Sequence, residues 1–319
     1  MSRLLFAFAL FSSSLAFAQD RRVPDSYVID SIEAHLFYPT SDQFDPVDSD
    51  YWYDWDPKKD DCPDALKRTA NVTVSKVIDA GATSYPEYDR LVADGRIDVI
   101  VFCGRVSHLA DGPLQADDYG YSMADQMASA LTTAGFKKAV APKGMRYTRT
   151  TKSLLTKGPL EVVVDFYTPS EFEGLADSAH IDNFAQAVRT HEIVVYNGHS
   201  LLGASDFWAR PSIYDGVSAT KYQMFLYDGC LGFEYYVSPI LTGKMGWDNV
   251  DIVSNSLETP FAVMITEAAT LISSVVSGAE KNGNVSWQTI LTKMNTYSGD
   301  QAYYGAAGVR TNKFHPPVQ

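Results

Sequence analysis

Cysteine is scarce: Cys62, Cys103 and Cys230 are the only three among 319 residues. That is too few for a domain held together mainly by disulfides. Basic charge is also short. Lys and Arg number 26 against 39 Asp and Glu, a net charge of −13, which argues against nucleic acid and anionic membranes as partners. After the first eighteen residues no stretch runs for eighteen uninterrupted apolar residues, so no membrane association is expected once that segment is removed. Internal repeats and low-complexity tracts are missing too.

What is present begins with an address label. Arg3 gives a short positive start, an apolar run follows from Leu4, and Ala16-Phe17-Ala18 precedes Gln19 as a small-x-small cleavage site. Residues 1–18 read as a signal peptide, which implies a secreted or periplasmic protein. Export favours paired thiols, and three is odd. The economical assignment is a Cys62–Cys103 disulfide with Cys230 free. Cys103 also ends an apolar strand, where a buried thiol would serve as well.

Residues 19–95 read as a small irregular N-terminal region containing β-strands, at Ile32 to Tyr38 and Thr69 to Val77. Between them Asp42, Asp45, Asp48, Asp50, Asp54 and Asp56 crowd around Tyr51, Trp52 and Trp55. Clustered carboxylates can hold Ca²⁺, but the EF-hand pattern of glycine and glutamate is missing, and a solvated acidic loop is the simpler reading. The chemistry itself requires no cofactor.

From residue 96 strands alternate with helices. Ile97–Cys103, Leu160–Tyr167, Glu192–Tyr196, Gln223–Tyr227 and Val250–Ser254 are apolar runs of strand length. Ser122, with Asp125 three residues on, is expected to cap a helix that ends at Gly135. Asp182 is expected to cap another to Thr190. Gly232 to Leu241 reads as helical, Phe261 to Val276 as a buried helix, and Ser286 as the cap of a last helix. Gly135 to Lys157 has no clear period and reads as a loop or hairpin open to proteolysis. The alternation predicts an α/β fold, a mostly parallel sheet flanked by helices. The organisation is thus 1–18, 19–95 and a domain over 96–319 with its core at about 96–278.

Two strand ends carry reactive side chains. One reads Val194-Val-Tyr-Asn-Gly-His199-Ser200, the other Phe225-Leu-Tyr-Asp228-Gly-Cys230. In an open α/β sheet, residues just past the carboxyl ends of neighbouring strands line one crevice. A histidine and a thiol placed there make a general base and a nucleophile. A helix beginning after Cys230 would lower the thiol's pKa. The Ser200 and Cys230 amides would supply an oxyanion hole. His191 precedes its strand and should lie at the opposite edge.

Strand, Tyr196-Asn-Gly-His199, strand, Asp228-Gly-Cys230, helix resembles the caspase-like cysteine peptidases, the group of caspases, metacaspases, gingipains and clostripain. Asp228-Gly-Cys-Leu-Gly232 is similar to the clostripain block, and Ile252 to Pro260 resembles that branch's Ser-Glu-Glu segment. The resemblance implies a caspase-like α/β/α sandwich, with Cys230 as nucleophile and His199 as base. It also implies that Asp228 selects a polypeptide substrate with arginine or lysine at P1, the residue before the cut. Several relatives need Ca²⁺ or cut themselves. Lys221 is the better self-processing site here, since Pro211 follows Arg210. The sequence departs from the pattern at Ser200, where the family usually has glycine. Two alternatives stand beside this reading: a catalytically inactive caspase-like binding module, and an α/β-hydrolase-type serine esterase using Ser200 within Gly198-His-Ser-Leu-Leu-Gly203.

Overall fold

The computed structural model describes residues 26–35, 67–75, 83–107, 113–174, 177, 179–200, 220–230, 232–255, 257, 259–298 and 304–317. The expected signal peptide, the acidic loop at 42–56, Cys62, Arg210, Leu202 and Glu258 lie outside them. The chain divides into two compact units. In the first, β1 (Ser26–His35) and β2 (Lys67–Ser75) pair antiparallel, with an irregularity between Ile29 and Ile32. Both strands lie a few residues ahead of the expected ones.

The second unit is described from Thr83 on and takes in α1 (Tyr88–Leu91), upstream of the residue-96 boundary read from the sequence. Its sheet strands are β3 (Arg96–Cys103), β4 (Lys137–Ala139), β5 (Met145–Ser153), β6 (Gly158–Tyr167), β7 (Ile193–Asn197), β8 (Gln223–Asp228), β9 (Val250–Asn255) and β10 (Tyr304–Ala307). The helices between them are α2 (Tyr119–Thr133), α3 (Ile181–Thr190), α4 (Gly232–Lys244), α5 (Phe261–Glu280) and α6 (Trp287–Ser298). Eight strands lie in the order β10-β9-β8-β7-β3-β6-β5-β4. The five from β9 to β6 are parallel, while β10 and the β4–β5 hairpin add antiparallel edges. This is the expected α/β fold, a mostly parallel sheet with helices on both faces.

Every residue of β7, β8 and β9 is buried, as strands covered on both faces must be. Alternation divides their side chains between two cores. Met224 and Leu226 join Met123, Met264, Leu271 and Trp287 from α2, α5 and α6. Phe225 and Tyr227 join Phe184 and Tyr236 from α3 and α4. Each fully buried aliphatic or aromatic side chain contributes about 1.5–3 kcal/mol. By length and hydropathy α5 could cross a membrane, yet Met264, Ala268, Leu271 and Val275 are sealed against the sheet.

Two caps differ from expectation. Asp118, not Ser122, caps α2: its carboxylate accepts from the Gly120 N–H at 2.8 Å, and the helix starts four residues earlier. Ser122 instead accepts from Gln126 within the helix. A Cβ at Gly120 would collide with the Gly104 carbonyl and Pro169, so glycine permits the start of α2 to lie on the loop after β3. At α3 the cap position is His180, without a side-chain bond, and Asp182 sits in the first turn. Asp177 orders that start, accepting from Ala179 and His180 N–H. The Gly135–Lys157 segment is a hairpin, and β5 pairs with β6 along all nine of its residues. Its open points are the turns at Val140 and Leu154, which are 92% and 54% exposed.

Candidate functional site

The strands carrying His199 and Cys230 are parallel neighbours. Asn197, ending β7, is level with Asp228, ending β8. The turns beyond them touch: a Cβ on Gly229 would stand 2.8 Å from Gly198 O and 3.2 Å from Ser200 N. Glycine at 229 therefore lets the histidine turn lie directly on the cysteine turn. The Gly198 N–H donates to Asp228 O at 3.2 Å, extending the pairing past the strands.

Each turn is pinned from the side. The Tyr196 hydroxyl folds back to donate to His199 O at 2.9 Å. The Tyr236 hydroxyl of α4 donates to Ser200 O. From β9, Ser254 donates to Tyr227 O at 2.8 Å, and Asn255 donates through Nδ2 to Gly229 O at 2.5 Å. α4 begins at Gly232, two residues past Cys230. Cys230 is partly exposed.

The imidazole of His199 is oriented by two groups. Its Nε2 lies 3.0 Å from Val106 O. A carbonyl only accepts, so Nε2 carries a proton, which leaves Nδ1 as the acceptor whenever the ring is neutral. The ring packs edge-on against Phe261 at the start of α5, with centroids 4.9 Å apart. His191 precedes β7, bonding Ala187 O and Asp165 away from this edge, as expected.

Asp228 has no exposed surface. It alternates onto the face of Met224 and Leu226, where the Tyr304 hydroxyl of β10 donates to Oδ1 at 2.7 Å. Oδ2 is buried without a hydrogen-bond partner. Burial pushes the carboxyl up to about 7; Tyr304 and the nearby Thr259 hydroxyl oppose this only in part. The Thr259 hydroxyl itself makes no hydrogen bond there. In this state the carboxyl is closed beneath Tyr304.

Cys103 is level with Asn197, and through it with Asp228, in one row across the sheet. It is a free thiol with no exposed surface. The expected Cys62–Cys103 bridge is therefore not made. Cys103 packs in the core with Val101 and Met123. Burial pushes its thiol up to about 12, so it stays uncharged and inert.

Lys221 does not suit self-processing. Its Nζ pairs with Glu192 at 2.6 Å and donates to Thr190 O, and Lys244 Nζ donates to its carbonyl at 2.5 Å. The following residue, Tyr222, is buried beside the start of β8. Cutting there would require that edge of the sheet to open. Ser200 is 2% exposed. His315, its nearest later histidine, follows Phe314, which packs on Tyr88 at the amino edge of the sheet. Among the described residues no serine triad is assembled around Ser200.

Val106, Phe261, Tyr304 and Asn255 were not foreseen as site residues. Val106 acts through its backbone, which no residue type announces. Among the described residues no cluster of three His, Cys, Asp or Glu could hold a metal. The sequence matches no family model, and a search of curated proteins returns no match.

Proposed function

We propose that this protein is an exported cysteine endopeptidase of the caspase-like group, cutting after arginine or lysine. The observation carrying the proposal is the contact between the turns after β7 and β8, one carrying a histidine oriented by Val106 and the other a partly exposed cysteine. Nδ1 of His199 takes the Cys230 proton, and the thiolate adds to the scissile carbonyl. The C–N bond then breaks as the imidazolium protonates the leaving amine. Water, deprotonated by the same ring, hydrolyses the thioester and restores the thiol. The Ser200 and Cys230 amides are assigned to the developing oxyanion.

Asp228 is assigned to the P1 cation. A buried carboxylate with one unpaired oxygen gains more from a guanidinium or ammonium than a solvated one would. The enclosure of that carboxyl is also what favours the second reading, an inactive binding module. The test is cleavage of fluorogenic peptides with Arg, Lys, Asp, Ala or Leu at P1, with and without Ca²⁺, beside a short-chain ester. Cleavage after Arg or Lys, reduced at least a thousandfold in Cys230→Ala, is the expected result. Ester turnover surviving in that variant would return the chemistry to Ser200. Silence on every peptide, with no labelling of Cys230 by a basic-P1 covalent inhibitor, would leave the binding module.

A further inference from the structure

The peptide group joining Val106 and Ser107 touches His199 at one end and a buried carboxylate at the other. Its C=O accepts from His199 Nε2 at 3.0 Å. Its N–H donates to Asp118 Oδ2 at 2.9 Å. The same carboxylate also accepts from Val106 N–H at 3.0 Å and Gly120 N–H at 2.8 Å. Asp118 is 2% exposed. We infer that Asp118 is a positioning residue for His199, acting through this one peptide group as the orienting anion of a nucleophile–base pair.

The physical case has two parts. An anion bonded to a peptide N–H draws the peptide's polarity toward its oxygen, and successive hydrogen bonds strengthen one another. The Val106 oxygen thereby becomes a better acceptor for Nε2–H and favours the imidazolium. The second part is geometric. Gly104 N–H donates to Asn197 O, Arg105 N–H donates to Glu173 O, and Asp118 holds the next two N–H groups. The 104–107 segment is fixed at every amide, so its carbonyl has one place to point. Burial by itself would raise the Asp118 carboxyl, but the Gly120, Ser107 and Val106 N–H groups and the Ser107 hydroxyl hold it below the usual carboxylate range. The carboxylate is thus ionised at neutral pH. The other charged pair on these segments, Arg105 and Glu173, meets at 3.1 Å. Asp228, on the neighbouring turn, stays in place in every comparison below.

This inference rests on His199 as the base, and its test is chosen to stand without turnover. His199 is titrated by ¹⁵N and ¹H NMR in the full chain carrying Cys230→Ala, with His199→Gln giving the assignment. The expected state is the Nε2–H tautomer. Adding Asp118→Asn sets an amide donor against a peptide N–H. The midpoint should then fall by about half a unit as the neighbouring charge is lost, with the tautomers becoming mixed. Asp118→Ser retains a capping oxygen for the Gly120 N–H and serves if the asparagine variant does not fold. An unchanged midpoint and tautomer alongside a lowered melting temperature would make Asp118 a helix cap and nothing more. In the active enzyme Asp118→Asn should lower kcat/KM about tenfold through kcat, with KM nearly unchanged, as for other groups that orient a reacting one. If the wild type cleaves nothing, the peptidase reading fails, while the titration still decides the relay.

Discussion

Two buried aspartates on neighbouring strands show how differently the two ends of this sheet are built. Asp228 closes β8 at the carboxyl end, and Asp251 lies near the start of β9, level with Met224. Neither has exposed surface, and burial pushes both carboxyls up to about 7. Among the described residues Asp228 has one donor, Tyr304. Asp251 has three, all on Oδ2: the Tyr222 hydroxyl at 2.5 Å, Trp287 Nε1 at 3.0 Å and Asn312 Nδ2 at 2.7 Å. Those three donors come from β8's lead-in, α6 and the C-terminal tail. The tail is tied again where Lys313 N–H donates to Glu87 and Asn312 donates to Tyr85 O. One carboxyl gathers distant parts of the chain. The other is held by a single hydroxyl, at the edge where the reactive side chains stand.

The comparison breaks most sharply with alanine. Asp251→Ala strands three buried donors, each costing about 1–3 kcal/mol when unsatisfied. A loss of about 3–5 kcal/mol is expected in urea unfolding, enough to threaten folding of an ordinary domain. Asp228→Ala strands the Tyr304 hydroxyl and should cost about 1–3 kcal/mol, and in the proposed peptidase it should also remove cleavage after basic residues. Equal losses at the two sites would mean that donor number does not separate anchor from site.

A smaller effect appears in the pH dependence. Both carboxyls have folded-state pKa values above their unfolded ones, so the folded chain holds more protons than the unfolded chain between about pH 4 and 7. Their contribution is full below the unfolded pKa and falls as pH rises toward about 7. Asp165, held down to about 2 against burial by Arg146 and His191, acts in the opposite direction at lower pH. Melting temperature should therefore be higher near pH 5 than at pH 8. Asp251→Asn keeps one oxygen for the three donors and removes the ionisation. It should flatten that slope and leave turnover unchanged. A slope as steep as the wild type's would show that Asp251 does not titrate in this range.

The same contrast explains what was legible in sequence. β3, β6, β7, β8 and β9 announce themselves because strands buried on both faces are continuous apolar runs, and their ends are read to within about two residues. β5 does not, since Met145–Ser153 carries Arg146, Arg149 and Lys152, with only Tyr147 and Ser153 buried. His199 and Cys230 stand out because each follows such a run. Asp251 was legible only as one polar residue in a strand, because its partners lie far along the chain. Asp118 carried a signal, an Asp two residues before a glycine at a helix start, but Ser122 matched the capping-box pattern more closely.

Tyr304→Phe gives the smallest effect and the finest test of the open end. It removes the only hydrogen-bond donor of Asp228 among the described residues and leaves both carboxyl oxygens buried without a described partner. Stability should fall by about 1–2 kcal/mol. In the proposed peptidase the hydroxyl occupies Oδ1, the second of the two oxygens that a bidentate guanidinium would use, so substrate must displace it to pair with both. Without it, the unliganded carboxyl is worse off, and pairing with a guanidinium relieves more. KM for an arginine peptide should fall severalfold, with kcat little changed, because the interaction is made equally in the bound and transition states. A raised KM would make Tyr304 part of the pocket floor, orienting Asp228 toward the substrate instead of covering it.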